Sequence, residues 1–235
     1  MELNPGNLAR RAAGFGLLAA ASTSPGQTFF IGLFGGAFRE SFQLSDAALG
    51  SLYAVATLAS GVLMFWLGEL ADRLAIRRAI TLSVAMVIGG SLLLATAVVP
   101  LQLGVGLFLL RLGGQGLTGH FAIVAAVRFS GRLRGRSTAT AAMGFILGEA
   151  FYPLLVTAAL GMVDWRTVWA GIAIILLLVY LPALRHLAKP FPVPDAIPDA
   201  QPNENDIDWN RRALFVSAPF LAALGVVLVP PFVIT

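Results

Sequence analysis

Long apolar runs separated by short charged or turn-forming links repeat along the chain. They cover about 12–38, 47–67, 79–99, 103–127, 137–160, 167–184 and 213–235, with Arg111 the only charged residue in the fourth and Glu149 in the fifth. Each approaches or exceeds the roughly 20 residues that carry a helix across a ~30 Å hydrocarbon layer. The runs are continuous rather than alternating and rich in Leu and Ala, so strands fit them poorly. Backbone groups in lipid must be satisfied within their own segment, which also selects helices. The pattern predicts six full spans and, after a break, a seventh. The stretch 79–110 is too long for one span. Val99-Pro100-Leu101-Gln102 divides it, because proline lacks an amide donor and disfavours helix in the residue before it. Gln102 is expected at the resulting tight turn.

Composition strengthens this reading. Hydrophobic residues make up 57% of the 235 and charged residues 12%, against roughly a quarter charged in a soluble domain. Lipid is the expected solvent. Arg10-Arg11 ahead of the first run raises the alternative of a secretion signal. A signal core is only about 7–15 residues long, and this run is nearly twice that, so a retained span is expected.

Orientation follows from the basic residues. With the N-terminus in the cytoplasm, only Arg39 and Arg166 of the 16 Lys and Arg lie outside, and Arg111 lies within the membrane. The seventh helix then ends outside. The formal charge of +4 is accounted for by topology and anionic head groups. No basic stripe interleaved with aromatics suggests a nucleic-acid partner. Cysteine is absent and the two histidines, His120 and His186, are far apart, so no disulfide, metal site or cofactor is expected.

The chain is expected to comprise a six-helix block over 1–186, a proline-rich cytoplasmic linker over 187–212 and one further helix over 213–235. Five prolines between Lys189 and Pro202 preclude a regular helix and favour an extended segment. Asn203 to Arg212 is expected as a short interfacial helix with Trp209 at head-group level. A linker of that length joins two similar bodies, yet only one helix follows it. The expectation is therefore the first half of a longer protein whose C-terminal six-helix half is missing from this chain; the alternative is a natural seven-helix protein.

Between the second and third spans stands Gly68-Glu69-Leu70-Ala71-Asp72-Arg73-Leu74-Ala75-Ile76-Arg77-Arg78. It resembles the signature loop of the major facilitator superfamily, Gly-x-x-x-Asp-Arg-x-Gly-Arg-Arg/Lys-Arg/Lys. Gly68, Asp72, Arg73, Arg77 and Arg78 match, whereas Ala75 and Ile76 replace a glycine and an arginine. In physical terms, a glycine lets two helices approach closely, an aspartate can meet a helix N-terminus, and arginines hold the loop inside. Arg111-Leu112-Gly113-Gly114-Gln115-Gly116 in the fourth span resembles a second pattern of that family, whose arginine is tied to proton coupling or substrate contact. Gly144 and Gly148 match part of an antiporter pattern, but Glu149 stands where its proline would be. The resemblance implies an all-α integral membrane fold, a six-helix bundle of two inverted three-helix repeats plus the seventh helix. It also implies a secondary active transporter that moves a small solute by alternating access, as symporter or antiporter, with proton coupling an open option. A bacterial inner-membrane location is expected.

Several polar residues lie deep in the spans. Arginine at helix-centre depth costs about 2.5–3.5 kcal/mol on insertion scales, so Arg111 needs a polar partner. At ~1.5 Å rise per residue, Arg111, Glu149 and Gln27 lie ~12, ~16 and ~15 Å below the outer ends of their helices, and can share one layer. Helical phase puts Gln115 and Thr118 on the Arg111 face and turns His120 away. It also puts Phe145, Tyr152 and Val156 on the Glu149 face. The expected site is a buried Arg111–Glu149 pair with Gln27, Gln115 and Tyr152 around it, in a solute or proton pathway. A structural Arg–carboxylate clamp is the other reading. Ser24-Pro25-Gly26-Gln27 should kink the first helix, as interrupted helices beside carrier sites do.

A membrane-embedded, lipid-modifying enzyme is the rival class. Gly6-Asn7-Leu8-Ala9-Arg10 resembles the Gly-x-x-Ala-Arg piece of phosphatidyltransferases, but the aspartate cluster those enzymes need does not follow. Ser/His/Asp and His-Glu-x-x-His arrangements are also missing, and no enzymatic activity is expected.

Overall fold

A break near the middle of the first span organises the molecule. The computed structural model describes residues 4–193 together with Ser217 and Leu221. Helix α1 (Pro5–Ala21) starts with Pro5 in its first turn and with the Asn4 side chain accepting from the Gly6 amide at 3.0 Å. It ends where three hydroxyls in succession turn back on it. Ser22, Thr23 and Ser24 each donate to the carbonyl three residues earlier, on Ala19, Ala20 and Ala21. Such bonds compete with the helical ladder, and Pro25 then supplies no amide donor. A 3₁₀ turn (Ser24–Gly26) and an extended Gln27 follow, before α2 (Thr28–Gly32) and α3 (Gly35–Phe42). The expected kink is thus a full interruption.

Five helical rods among the described residues are long and apolar enough to cross a membrane: Asp46–Arg73, Ile76–Ala95, Pro100–Arg128, Gly131–Leu160 and Trp165–Leu187. The second span comprises α4 (Asp46–Leu67), capped by Ser45, and a short α5 (Leu70–Arg73). Helix α6 (Ile76–Ala95) is followed by α7 (Pro100–Leu110). Pro100 opens α7, and the Gln102 carboxamide oxygen accepts from the Val98 amide at 2.8 Å, closing the turn as expected. Between α7 and α8 (Gly119–Arg128) the rod widens into π-helical turns over Arg111–Thr118. Helix α9 (Arg134–Leu160) carries Pro153 inside it. The sixth span is α10 (Trp165–Ile175), π turns at Leu176–Tyr180 and α11 (Leu181–Leu187).

Small residues set the packing. Helix α1 lies along α9 and α8, while α6 lies between α7 and α10. A Cβ on Gly144 would stand 2.2 Å from the Leu17 carbonyl oxygen, and one on Gly148 would stand 2.3 Å from Ser24 Oγ. These two glycines bring α9 into backbone contact with α1, the close approach that small residues permit in membranes. An aromatic column joins α2 and α3 to α10: Trp169 is 5.7 Å from Phe30 and 4.8 Å from Phe34 between ring centroids, and Phe38 is 5.1 Å from Trp165.

The chain divides into two compact units, Met1–Ala196 and Ile197–Thr235. The expected interfacial helix at 203–212 lies outside the described residues, as does the expected seventh span but for Ser217 and Leu221. At the end of the first unit Phe191 is buried, stacked on Phe129 at 4.5 Å and edge-on to Phe15 at 5.5 Å.

Candidate functional site

The helix break, not an ion pair, builds the polar centre of the bundle. Arg111, 8% exposed, donates from Nη1 to the Gly26 carbonyl at 3.1 Å and to Thr28 Oγ1 at 3.2 Å. Its guanidinium carbon sits 5.3 Å from the centre of the Tyr53 ring, and the Tyr53 hydroxyl is 2.8 Å from Thr28 Oγ1. Ending α1 at residue 21 frees the carbonyl that Arg111 then satisfies. The approach is tight: a Cβ on Gly26 would lie 2.2 Å from the Leu110 carbonyl oxygen, and Gly114 faces Gly26 from the π segment. Within Arg111, Nε is buried without a partner.

The expected Arg111–Glu149 pair is not formed. Three ion pairs are present among the described residues, Arg39–Asp46, Arg73–Glu69 and Arg128–Asp72, and none includes either residue. The physical reason is the break itself, which offers Arg111 a backbone carbonyl, a hydroxyl and a ring face. Glu149 instead lines a cavity of ≈ 400 Å³ with Gln27, Thr28, Phe29 and Phe145. Thr23 and Ser24 complete its wall. Gln27 donates from Nε2 to Thr23 Oγ1 at 3.3 Å. Gln27 and Glu149 thus share one cavity, and Arg111 reaches its wall through Thr28.

Two other expected members do not line the cavity. Gln115 is exposed, and Thr118 is buried with its hydroxyl donating to Ser83 Oγ on α6 at 2.9 Å. Thr118 follows Arg111 through π turns, whose i→i+5 bonds hold more residues per turn than an α-helix and carry it round to α6. Tyr152 lies one turn beyond Glu149, where α10 packs on α9, and its hydroxyl bonds that of Tyr180. With Val156 it lines an apolar groove between α9 and α10 instead of the polar cavity. His120 stands beside Phe121, 5.9 Å between centroids, and does not line the cavity.

Thr28 and Tyr53 escaped sequence reasoning. Thr28 became visible only once residue 27 turned extended, but the run Ser22-Thr23-Ser24 before Pro25 was a legible sign of a helix end. Tyr53 lies in an otherwise apolar run and carries no sequence signal of its own.

The 68–78 loop is also organised differently from its simple physical reading. Gly68 closes α4, its amide on the Met64 carbonyl at 2.9 Å, and no other helix stands within 4 Å of its Cβ direction. Close helix approach is therefore not its role in the described residues. Asp72 meets no helix N-terminus; it pairs with Arg128 at the end of α8, and Arg128 Nη1 also donates to the Ala71 carbonyl at 2.7 Å. Arg73 pairs with Glu69 one turn back at 2.7 Å, while Arg77 and Arg78 are exposed on the first turn of α6. Ala75 has φ −54° and ψ 132°, a conformation that needs no glycine, and Ile76 is 2% exposed, so a basic group there would face the core.

No group of three or more His, Asp or Glu gathers to hold a metal among the described residues. Comparison with curated proteins and with solved structures gives no significant match. A family model described as Major Facilitator Superfamily matches residues 16–235, nearly the whole chain. That family is made up of membrane transporters, in keeping with the all-helical, multi-pass architecture and the 68–78 loop. The chain belongs to the major facilitator superfamily.

Proposed function

We propose that this chain is the N-terminal bundle of a secondary active transporter that moves a small solute by alternating access, coupled to protons as symport or antiport. The observation that carries the reading is a carboxylate-bearing cavity beside a helix break, with Glu149 exposed to it near the middle of the apolar helix α9. Glu149 and Gln27 face one open cavity, and the Arg111 clamp shapes the segment that lines it. A charge is retained at such depth for function rather than stability, and broken helices beside a midplane site are a recurring carrier device. Glu149 is the group that takes and releases the proton; Gln27 contacts solute. Arg111, Gln115 and Tyr152 act from the margins, Arg111 through Thr28.

One bundle encloses this cavity on one side only, so a second six-helix bundle supplies the opposing wall, and the 68–78 loop gates the cytoplasmic end between them. The Asp72–Arg128 pair fastens that loop to α8. The excess of basic residues on the loops joining α4 to α6 and α8 to α9 supports a cytoplasmic N-terminus, in a bacterial inner membrane. The lipid-modifying enzyme has less support, since the helix carrying Gly6 to Arg10 gathers no aspartate cluster among the described residues.

The test is proton movement in lightly buffered proteoliposomes holding the complete carrier, challenged with a panel of ammonium compounds, carboxylates and sugars. A pH change with one solute class, lost in Glu149→Gln, is expected. Chemical turnover of a lipid, with no solute flux from the whole panel, would overturn the reading.

A further inference from the structure

The wall of the Gln27–Glu149 cavity offers acceptors and has spent many of its donors. The hydrogens of the Thr23 and Ser24 hydroxyls go to the carbonyls of Ala20 and Ala21 in α1, so both oxygens present lone pairs. One Gln27 amide hydrogen is spent on Thr23, and its carboxamide oxygen and second amide hydrogen have no partner among the described residues. Pro153 has no amide hydrogen to give the carbonyl of Glu149, four residues earlier in α9. Among the described residues Glu149 is the only ionisable group lining the cavity, and none of their cations lies within ion-pair distance of it. The one cation near this wall among the described residues, Arg111, is already engaged by two oxygens and the Tyr53 ring. Phe29 and Phe145 add two aromatic rings to the wall.

Acceptors, a lone carboxylate and aromatic faces are complementary to a positive charge that carries N–H donors. An anion would meet lone pairs and Glu149 without a free cation in reach among the described residues. We propose that the cavity binds a small protonated amine, with Glu149 as its counter-ion, Ser24 and Gln27 accepting from its N–H groups, and Phe29 and Phe145 flanking its apolar part. This rests on the reading of the cavity as the solute site and names the class of solute.

The experiment measures binding to the full chain in nanodiscs with three probes of matched shape: phenethylammonium, 2-phenylethanol and phenylacetate. Saturable binding of phenethylammonium is expected, with the alcohol at least about tenfold weaker and phenylacetate weaker still. Glu149→Gln should weaken the ammonium by about tenfold or more and leave the alcohol unchanged. Glu149→Asp should recover part of the loss, and Phe145→Leu should weaken the ammonium without altering the elution profile of the protein. Equal binding of the three probes, undiminished ammonium binding by Glu149→Gln, or no saturable ammonium binding each overturns the proposal. The probes are small enough to be held by the described wall, so a chain that binds the amine but belongs to no working carrier contradicts the transport reading alone. Uptake of an uncharged solute or an anion, with no amine binding, removes the amine and leaves the carrier.

Discussion

Nη1 of Arg111 lies 3.1 Å from the carbonyl oxygen of Gly26, 85 residues earlier in the chain. A single side chain thereby caps the backbone that a broken helix leaves open. It holds Thr28, which lines the candidate cavity, by the same nitrogen. The fourth span thus sets the shape of the first where the solute is proposed to sit.

Replacing Arg111 by Met leaves the Gly26 carbonyl without that donor. An unmet buried acceptor costs about 1–3 kcal/mol, and at this chain length each kcal/mol moves the melting midpoint by roughly 2–4 °C. A clear drop in the melting temperature of the detergent-solubilised protein is expected, with Arg111→Lys intermediate. An unchanged midpoint would show that the clamp adds nothing to stability.

Glycines at the α1 crossings should tolerate no side chain. Gly144→Ala places a methyl 2.2 Å from the Leu17 carbonyl oxygen, a backbone atom that cannot swing aside. Overpacking of this kind costs typically about 1–3 kcal/mol. Gly171 on α10 has nothing within 4 Å of its Cβ direction, so Gly171→Ala should stay within about 0.5 kcal/mol of the parent. Equal melting behaviour of the two variants would contradict the packing described.

The described spans were legible because hydrophobic run length is a direct reading of bilayer thickness. Pro100 and Gln102 marked the turn into α7, and Ser24 to Gln27 marked the place where α1 fails. Partnerships at the centre were not legible. Pairing Arg111 with Glu149 followed from opposite charge at similar depth. That logic omitted the Gly26 carbonyl, which becomes available only when the helix stops. Thr118 turns to Ser83 on α6 because it follows Arg111 through π turns, which a 3.6-residue period does not describe. Tyr152 was placed by helical phase alone, without α10 beside it. Backbone that departs from regular helix is where side-chain pattern loses its meaning.

Asp72 and Arg128 make a pair that is largely open to water, with side chains 73% and 23% exposed. Exposed pairs contribute about 0.2–1 kcal/mol and weaken with salt. Asp72→Asn should therefore barely change the melting temperature, and a double-mutant cycle with Arg128→Gln should give a coupling in that range that falls as salt rises. Transport by the complete carrier should suffer far more than stability if the loop acts as a gate. Parallel losses of the two would make the loop a purely structural element.

Phe191 holds the segment after α11 against Phe129 and Phe15. Phe191→Ala should release it, so limited proteolysis should cut the chain faster between Leu187 and Val193 while the bundle stays protected. Cleavage at the parent rate would show that the aromatic stack does not restrain that segment.

The central claim is that Glu149 carries the proton whose movement is coupled to that of solute. It is tested most directly by following external pH and solute exchange together in vesicles holding the complete carrier, parent and Glu149→Gln side by side. The account predicts solute-dependent proton movement in the parent and none in the variant, which still exchanges solute down its gradient. Proton movement with solute at the parent level in Glu149→Gln would contradict it.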